Sequence, residues 1–247
     1  AGLDNFCWPD PVVSEKTPDG RYKLAQLVRA NRAIDDVCRA YRLPCISGKD
    51  SMKNDVTMHG EKISVPPTLL FSLIGNHNDV RKAVSSDFKH IDDHIFLLGE
   101  THQELGASEL AYMFRDECSG GIGGRAPTID ADRNLAMYRA LSEAMSQELV
   151  ASAHDCSDGG LAVALAECCF GSGTGATVDV SQLGANDSEL NSIGALFSES
   201  LGRILVSIQP ENSAAFSSAM EGHACHRLGS VGKDDIISIS NETSQIL

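Results

Sequence analysis

His154-Asp155-Cys156-Ser157-Asp158-Gly159-Gly160-Leu161 stands between the apolar run Val150–Ala153 and the Ala/Leu-rich stretch Leu161–Phe170. The order reads as a short strand, a loop and a helix. Adjacent glycines allow a tight turn and a close backbone approach. The helix start offers unpaired N–H groups and the positive end of a dipole, which suit phosphate. Asp155 or Asp158 is able to hold a Mg²⁺ that bridges phosphate oxygens. Ser157 is able to donate to a phosphate or hold a nucleotide. Equally, Asp158 or Ser157 simply caps the helix, because Asp-Gly-Gly also marks ordinary turns.

Around this stretch, strands and helices alternate. Strands are predicted at Ile95–Leu98, Val150–Ala153, Ala176–Val180, Ile204–Ile208, Arg227–Val231 and Ile236–Ile239. Helices are predicted at Glu104–Phe114, Ala131–Leu149, Leu161–Phe170, Ser188–Leu196 and Glu211–Met220. In the second, Leu135, Tyr138, Leu141, Met145 and Leu149 share a stripe. Such alternation means α/β or α+β layers. Gly120–Gly124, with no strand before it, reads as a mobile connection. The polar segment Gly75–Asp92 is the expected boundary, giving domains 1–85 and 86–247.

Before that boundary, residues 1–21 read as irregular, with Pro/Asp/Gly clusters at Pro9–Pro11 and Pro18–Gly20. Trp8 reads as a loop anchor on the core. Tyr22–Tyr41 has helical periodicity, with Arg29, Arg32, Arg39 and Arg42 as a solvated face. Leu43–Ile46 is extended, Ser47–Asp55 a loop, and Ile63–Gly75 extended. Within the loop, Gly48-Lys49 suits phosphate, but Asp50 follows directly and no P-loop pattern is present. The plainer reading there is an exposed Lys49–Asp50 pair. Farther on, Leu196-Phe197-Ser198-Glu199-Ser200-Leu201-Gly202-Arg203 offers two readings. Glu199 pairs structurally with Arg203, or Glu199 and Ser200 contact a ligand hydroxyl.

Composition narrows the partners. The 20 basic and 34 acidic side chains give a net charge of −14. That excess argues against a nucleic-acid binder but not against a nucleotide carried with a cation. No apolar run approaches the ~20 residues of a membrane span, and no basic, then apolar, leader is visible. A cytoplasmic protein with no membrane partner is expected. The eight cysteines contain no C-x-x-C pair and read as reduced thiols. His90/His94 and His223/Cys225/His226 are incomplete metal sets. The start at Ala1 without Met suggests a processed chain or a piece of something longer.

Five motifs occur in a fixed order: Gly48-Lys49-Asp50-Ser51-Met52, Pro66-Pro67-Thr68, Gly106-Ala107-Ser108-Glu109, His154–Ala162, and Phe197-Ser198-Glu199-Ser200-x-Gly202-Arg203. With Leu3–Asp10 they cover nearly the whole chain. The set resembles the second synthase half of the phosphoribosylformylglycinamidine synthases, of the aminoimidazole ribonucleotide synthetase-like superfamily. The resemblance implies a truncated N-terminal subdomain followed by a C-terminal α/β subdomain of mixed sheet with helices. It implies a ligase with ATP/ADP and Mg²⁺ as cofactors. Formylglycinamide ribonucleotide and glutamine-derived ammonia become the amidine in purine biosynthesis. Gly48 and Ser157 are then nucleotide contacts, and Ser51, Glu199 and Ser200 substrate contacts. Asp155 is then a metal ligand in an active or auxiliary site. Lys49 departs from the family, which has Asn there. The partners implied are the small-molecule nucleotide substrate, the missing first synthase half and the glutaminase domain. The isolated chain is expected to be inactive and to form a homodimer. The alternatives are another ATP-binding member of the superfamily or a non-catalytic dimerisation module.

Overall fold

A computed structural model describes residues 1–116, 124–186, 188–241 and 244–245. It divides into two compact units, Ala1–Asn78 and Asp79–Leu247.

The first unit runs β1 (Gly2–Cys7), α1 (Gly20–Ala40), β2 (Cys45–Ser51), β3 (Asp55–Met58), β4 (Glu61–Ser64) and β5 (Thr68–Leu73). Its sheet has the order β2-β1-β5. β1 is parallel to β2 and antiparallel to β5. This corrects two expectations. The irregular opening contains the central strand, and most of the expected Ser47–Asp55 loop is strand β2. Asp4, Asn5, Gly48 and Asp50 are poor strand formers by composition; pairing on both sides of β1 overrides that preference. Gly48 lies opposite Asp4, and a Cβ there would fall on the Asp4 carboxylate. The extended run at 63–75 is two strands broken by Pro66-Pro67. His59 and Gly60, both left-handed (φ 52° and 85°), close the β3–β4 hairpin as a two-residue turn demands.

Trp8 is buried, its indole Nε1 donating to the Lys23 carbonyl at 3.0 Å. Helix α1 ends in a Schellman closure. Arg42, at φ 54°, donates to Arg39 O at 3.1 Å, and Leu43 N donates to Cys38 O at 2.8 Å. Pro44 then prevents continuation.

The second unit contains β6 (His94–Leu98), α2 (Glu109–Met113), α3 (Ala131–Ser146), β7 (Ser152–Asp155), α4 (Gly160–Phe170) and β8 (Gly175–Asp179). It continues with α5 (Ser192–Phe197), β9 (Ile204–Ile208), α6 (Ser213–Ala219), β10 (Cys225–Gly232), β11 (Ile237–Asn241) and β12 (Ser244–Gln245). Among the described residues these strands form one mixed sheet, β12-β11-β8-β10-β6-β9-β7, with only β11 and β8 parallel. The expected α/β layering with a mixed sheet is what forms.

Both faces of the sheet are covered, so β6 is apolar at every buried position. Ile95 and Leu97 join Leu161, Leu165 and Cys168 of α4 and Leu196 of α5 on one face. Phe96 and Leu98 join Met137 and Leu141 of α3 and Phe216 of α6 on the other. Strand β9 splits in the same way, Leu205 to the first core and Val206 and Ile208 to the second.

Four helices are shorter than predicted; α5 starts at Ser192 rather than Ser188, and α6 spans Ser213–Ala219 within the expected Glu211–Met220. Helix α3 stops at Ser146 because Glu148 adopts φ 60° and Leu149 N returns to Ala144 O at 3.1 Å. That is a second Schellman closure, so Leu149 caps the stripe from outside the helix. Helix α2 starts at Glu109, not Glu104. Ala107 is left-handed (φ 62°), and the Ser108 hydroxyl accepts from Ala111 N at 3.2 Å, a side-chain N-cap. The glycine cluster 120–124 lies outside the described residues, save Gly124.

Candidate functional site

Strand β7 delivers Asp155 to its C-terminal end, beside Ile204 of β9. Cys156 then turns inward, 7% exposed, its N–H bonded to Arg203 O at 3.1 Å. Asp155, Ser157 and Asp158 are left facing solvent. The Ser157 hydroxyl donates to Asp155 Oδ2. The other oxygen, Oδ1, lies 3.5 Å from His154 Nδ1, while His154 Nε2 meets Glu167 Oε2 at 2.8 Å.

The turn needs both glycines. Gly159 and Gly160 sit at φ 78° and 67°, and a Cβ on Gly160 would stand 2.5 Å from Ser198 O. Neither Ser157 nor Asp158 caps α4 through its side chain, which corrects the capping alternative. The cap comes from elsewhere. Glu199 Oε1 accepts from Gly159 N at 2.9 Å and from Glu109 N at 2.8 Å. One carboxylate therefore meets the starts of both α4 and α2, where helix dipoles favour negative charge.

Glu199 does not pair with Arg203. The guanidinium is 1% exposed and bonds Ser200 O at 3.1 Å, Thr101 Oγ1 at 3.2 Å and Ser198 O. Burial pulls its pKa down from the ordinary value, while nearby Cys156, Glu104 and Glu199 oppose the fall. Ser200 is also buried. Its hydroxyl donates to Glu104 Oε2 at 2.8 Å and accepts from His102 N at 3.0 Å. The Glu104 carboxylate, fully buried, takes Thr128 N at 3.1 Å and Thr128 Oγ1 at 3.0 Å on Oε1, with Arg125 at 3.5 Å. The segment Ser198–Arg203 thus clamps the chain at 101–104, and Glu104 in turn holds Thr128. Ser200 and Glu104 also line a cleft of about 150 Å³ with Glu100, His102, Arg133 and His223.

The structure brings Asp155, Ser157, Glu199 and Ser200 together in the second unit. Gly48 and Ser51 lie on β2 of the first. There Lys49 Nζ bonds the Ser51 hydroxyl rather than pairing with Asp50. Glu104 and Thr128 escape sequence reasoning. The available signal is Arg203, a charge embedded before an apolar strand and so in need of buried acceptors. Among the described residues no group of three or more His, Cys, Asp or Glu is placed to hold a metal, and no helix is long and apolar enough to cross a membrane.

Comparison with known proteins agrees with this architecture. The chain is 38% identical over 219 residues to the phosphoribosylformylglycinamidine synthase subunit PurL of Thermobifida fusca. That match covers 87% of this chain but 26% of the relative. Among solved structures, T. maritima PurL complexed with FGAR superposes with a TM-score of 0.69 at 14% identity, covering 100% of this chain and 38% of that one. T. maritima PurL complexed with ATP gives 0.66 at 15% identity, covering 100% and 36%. A HypE–HypF complex gives 0.64 at 14% identity, covering 100% and 76%. These structural likenesses show the fold. Residues 91–240 match the family described as AIR synthase related protein, C-terminal domain, and the chain belongs to that family.

Proposed function

We propose that the chain serves as part of a phosphoribosylformylglycinamidine synthase. That ATP-dependent ligase converts formylglycinamide ribonucleotide and glutamine-derived ammonia to the amidine in purine biosynthesis. The observation that carries this reading is the 38% identity to the Thermobifida fusca PurL subunit across 87% of the chain. The T. maritima complexes with ATP, ADP and FGAR support nucleotide and substrate sites on this fold. The first synthase half and the glutaminase domain are the partners this reading requires, and a cytoplasmic setting goes with it.

Asp155 and Ser157 form the nucleotide side. An exposed carboxylate repels a diphosphate unless a cation stands between them, and the chain is already acidic at −14. Mg²⁺ commonly takes one or two carboxylates and completes its shell with phosphates and water. The single Asp155 carboxylate, 71% exposed, fits that demand where a full protein cage does not. When bound, the ion neutralises phosphate charge. Ser157, already donating to Asp155, orients that carboxylate. Glycines 159 and 160 keep side chains out of the approach.

Glu199 uses Oε1 for the two helix starts, and Oε2 is the atom offered to a substrate hydroxyl. Ser200 lines the cleft with its hydroxyl held between Glu104 and His102, and is the substrate contact this reading adds there. In the first unit, Gly48 and Ser51, the latter held by Lys49, serve the active site of the missing first synthase half, Gly48 as a nucleotide contact and Ser51 as a substrate contact.

A chimera tests the reading. This chain replaces the matching 219 residues of the Thermobifida fusca relative, and amidine formation is assayed with its partner subunits. Retained turnover is expected. A folded chimera that binds its partners yet forms no amidine overturns the proposal.

A further inference from the structure

The end of α1 and the start of β2 bring two thiols together. Cys38 is the residue whose carbonyl closes the Schellman turn, accepting from Leu43 N at 2.8 Å. Cys45 is the first residue of β2. Their Sγ atoms are 3.7 Å apart. Cys45 is exposed and Cys38 half-buried. Both border an open cleft of about 660 Å³ whose wall includes Arg39, Arg42 and Pro44. Arg39 is committed to Asp35 at 2.9 Å, whereas Arg42 has no carboxylate partner among the described residues. The cleft is therefore thiol-lined and open, with the Arg42 guanidinium left over once Asp35 has neutralised Arg39. The backbone beneath it is fixed on both sides by the turn and by the pairing of Cys45 with Gly2. Sulfurs already this close need little more than side-chain rotation to reach the ~2.05 Å bond length.

We propose that Cys38 and Cys45 form a dithiol site that is oxidised to an intrachain disulfide by a small anionic disulfide of the glutathione class. Cys45, the accessible thiol, releases its proton to solvent, and the thiolate attacks one sulfur of the oxidant. The oxidant's S–S bond breaks, and its other half leaves with the electron pair and takes up a proton. Cys38 then gives its proton to solvent and its thiolate attacks the Cys45 sulfur; the Cys45–oxidant S–S bond breaks, the protein disulfide forms, and the second half leaves with the electron pair and takes up a proton. Two protein thiols are oxidised to one disulfide, and one oxidant disulfide is reduced to two thiols.

The order follows exposure. Burial pushes the Cys38 thiol up, and its hydrogen bond with Cys45 adds to that rise, so Cys38 suits the second, intramolecular step. Three other thiols compete poorly with this pair. Burial pushes Cys156, Cys168 and Cys225 up to about 11, 12 and 11, and such thiols are poor nucleophiles at neutral pH. The product ties the end of α1 to the strand that carries Gly48 and Ser51.

The test incubates the full chain with oxidised glutathione, blocks remaining thiols by alkylation, and maps tryptic peptides by mass. Wild type is expected to yield Ala33–Arg39 joined to Leu43–Lys49, lighter than the two reduced peptides together by two hydrogens. Cys38→Ser is expected to retain glutathione on Cys45, and Cys45→Ser to leave Cys38 alkylated. The proposal is overturned if both wild-type cysteines are alkylated in full or if either joins a different cysteine. Glutathione persisting on wild-type Cys45 without transfer to Cys38 also overturns it.

Discussion

At the scale of single residues, Glu199 carries more structure than its exposure suggests. Its carboxylate serves two helix starts at once. Glu199→Ala should cost about 1–2 kcal/mol through the lost charge-assisted caps, read as a lower thermal midpoint, while Glu199→Gln retains an acceptor and most of the stability. Equal midpoints for Ala and wild type would contradict this role. Arg203→Met leaves the Ser198 and Ser200 carbonyls and Thr101 without their donor. A loss of about 3 kcal/mol is expected in urea unfolding; a loss under ~1 kcal/mol would show that water replaces the guanidinium without cost.

Asp93 behaves in the opposite sense. Burial pushes its carboxyl up from 3.8, against the pull of His90 and of hydrogen bonds, and Oδ1 has no partner. A carboxyl with a raised folded pKa destabilises the fold only when ionised. That cost is absent below 3.8 and grows as pH rises through the folded value. Asp93→Asn should therefore raise the midpoint at neutral pH, with the gain shrinking to nothing in acid. A gain that stays constant across the titration would refute the ionic origin.

Elements were legible in the sequence where burial and local pattern coincide. Strand β9 falls at Ile204–Ile208 as its apolar run predicts, and α4 and β6 end where expected and begin one residue earlier. Helix ends were less legible because Arg42 and Glu148 occupy left-handed closing positions usually given to glycine. β1, and β2 beyond Ile46, were illegible for a different reason. Their Asp, Asn, Gly and Ser content is that of a loop, and only non-local pairing makes them strands. At the site, the Asp155–Gly160 turn was visible from its glycines, but its cap was not, since Glu199 is forty residues away in sequence. Gly160→Ala tests the turn itself. The left-handed φ and the approach to Ser198 O together predict a loss of about 2 kcal/mol or more. A neutral substitution would mean that the turn relaxes freely.

For the whole molecule, the two units differ in how completely they cover their apolar surface. The second packs both faces of its sheet. In the first, Leu24, Val28, Ile46, Leu70, Leu73 and Ile74 are all exposed, more than isolated surface residues explain. Concentration-dependent self-association is expected in sedimentation experiments, and a monomer at every concentration would contradict the homodimer. The most direct measurement of the central claim, a cation-bridged nucleotide at the end of β7, is calorimetric titration of ADP with Mg²⁺ into wild type and Asp155→Asn. Saturable binding that needs Mg²⁺ and weakens by about tenfold or more in the variant, a difference of ~1.4 kcal/mol, is the predicted result. Binding that is absent in wild type, or equally tight in both proteins, would contradict it.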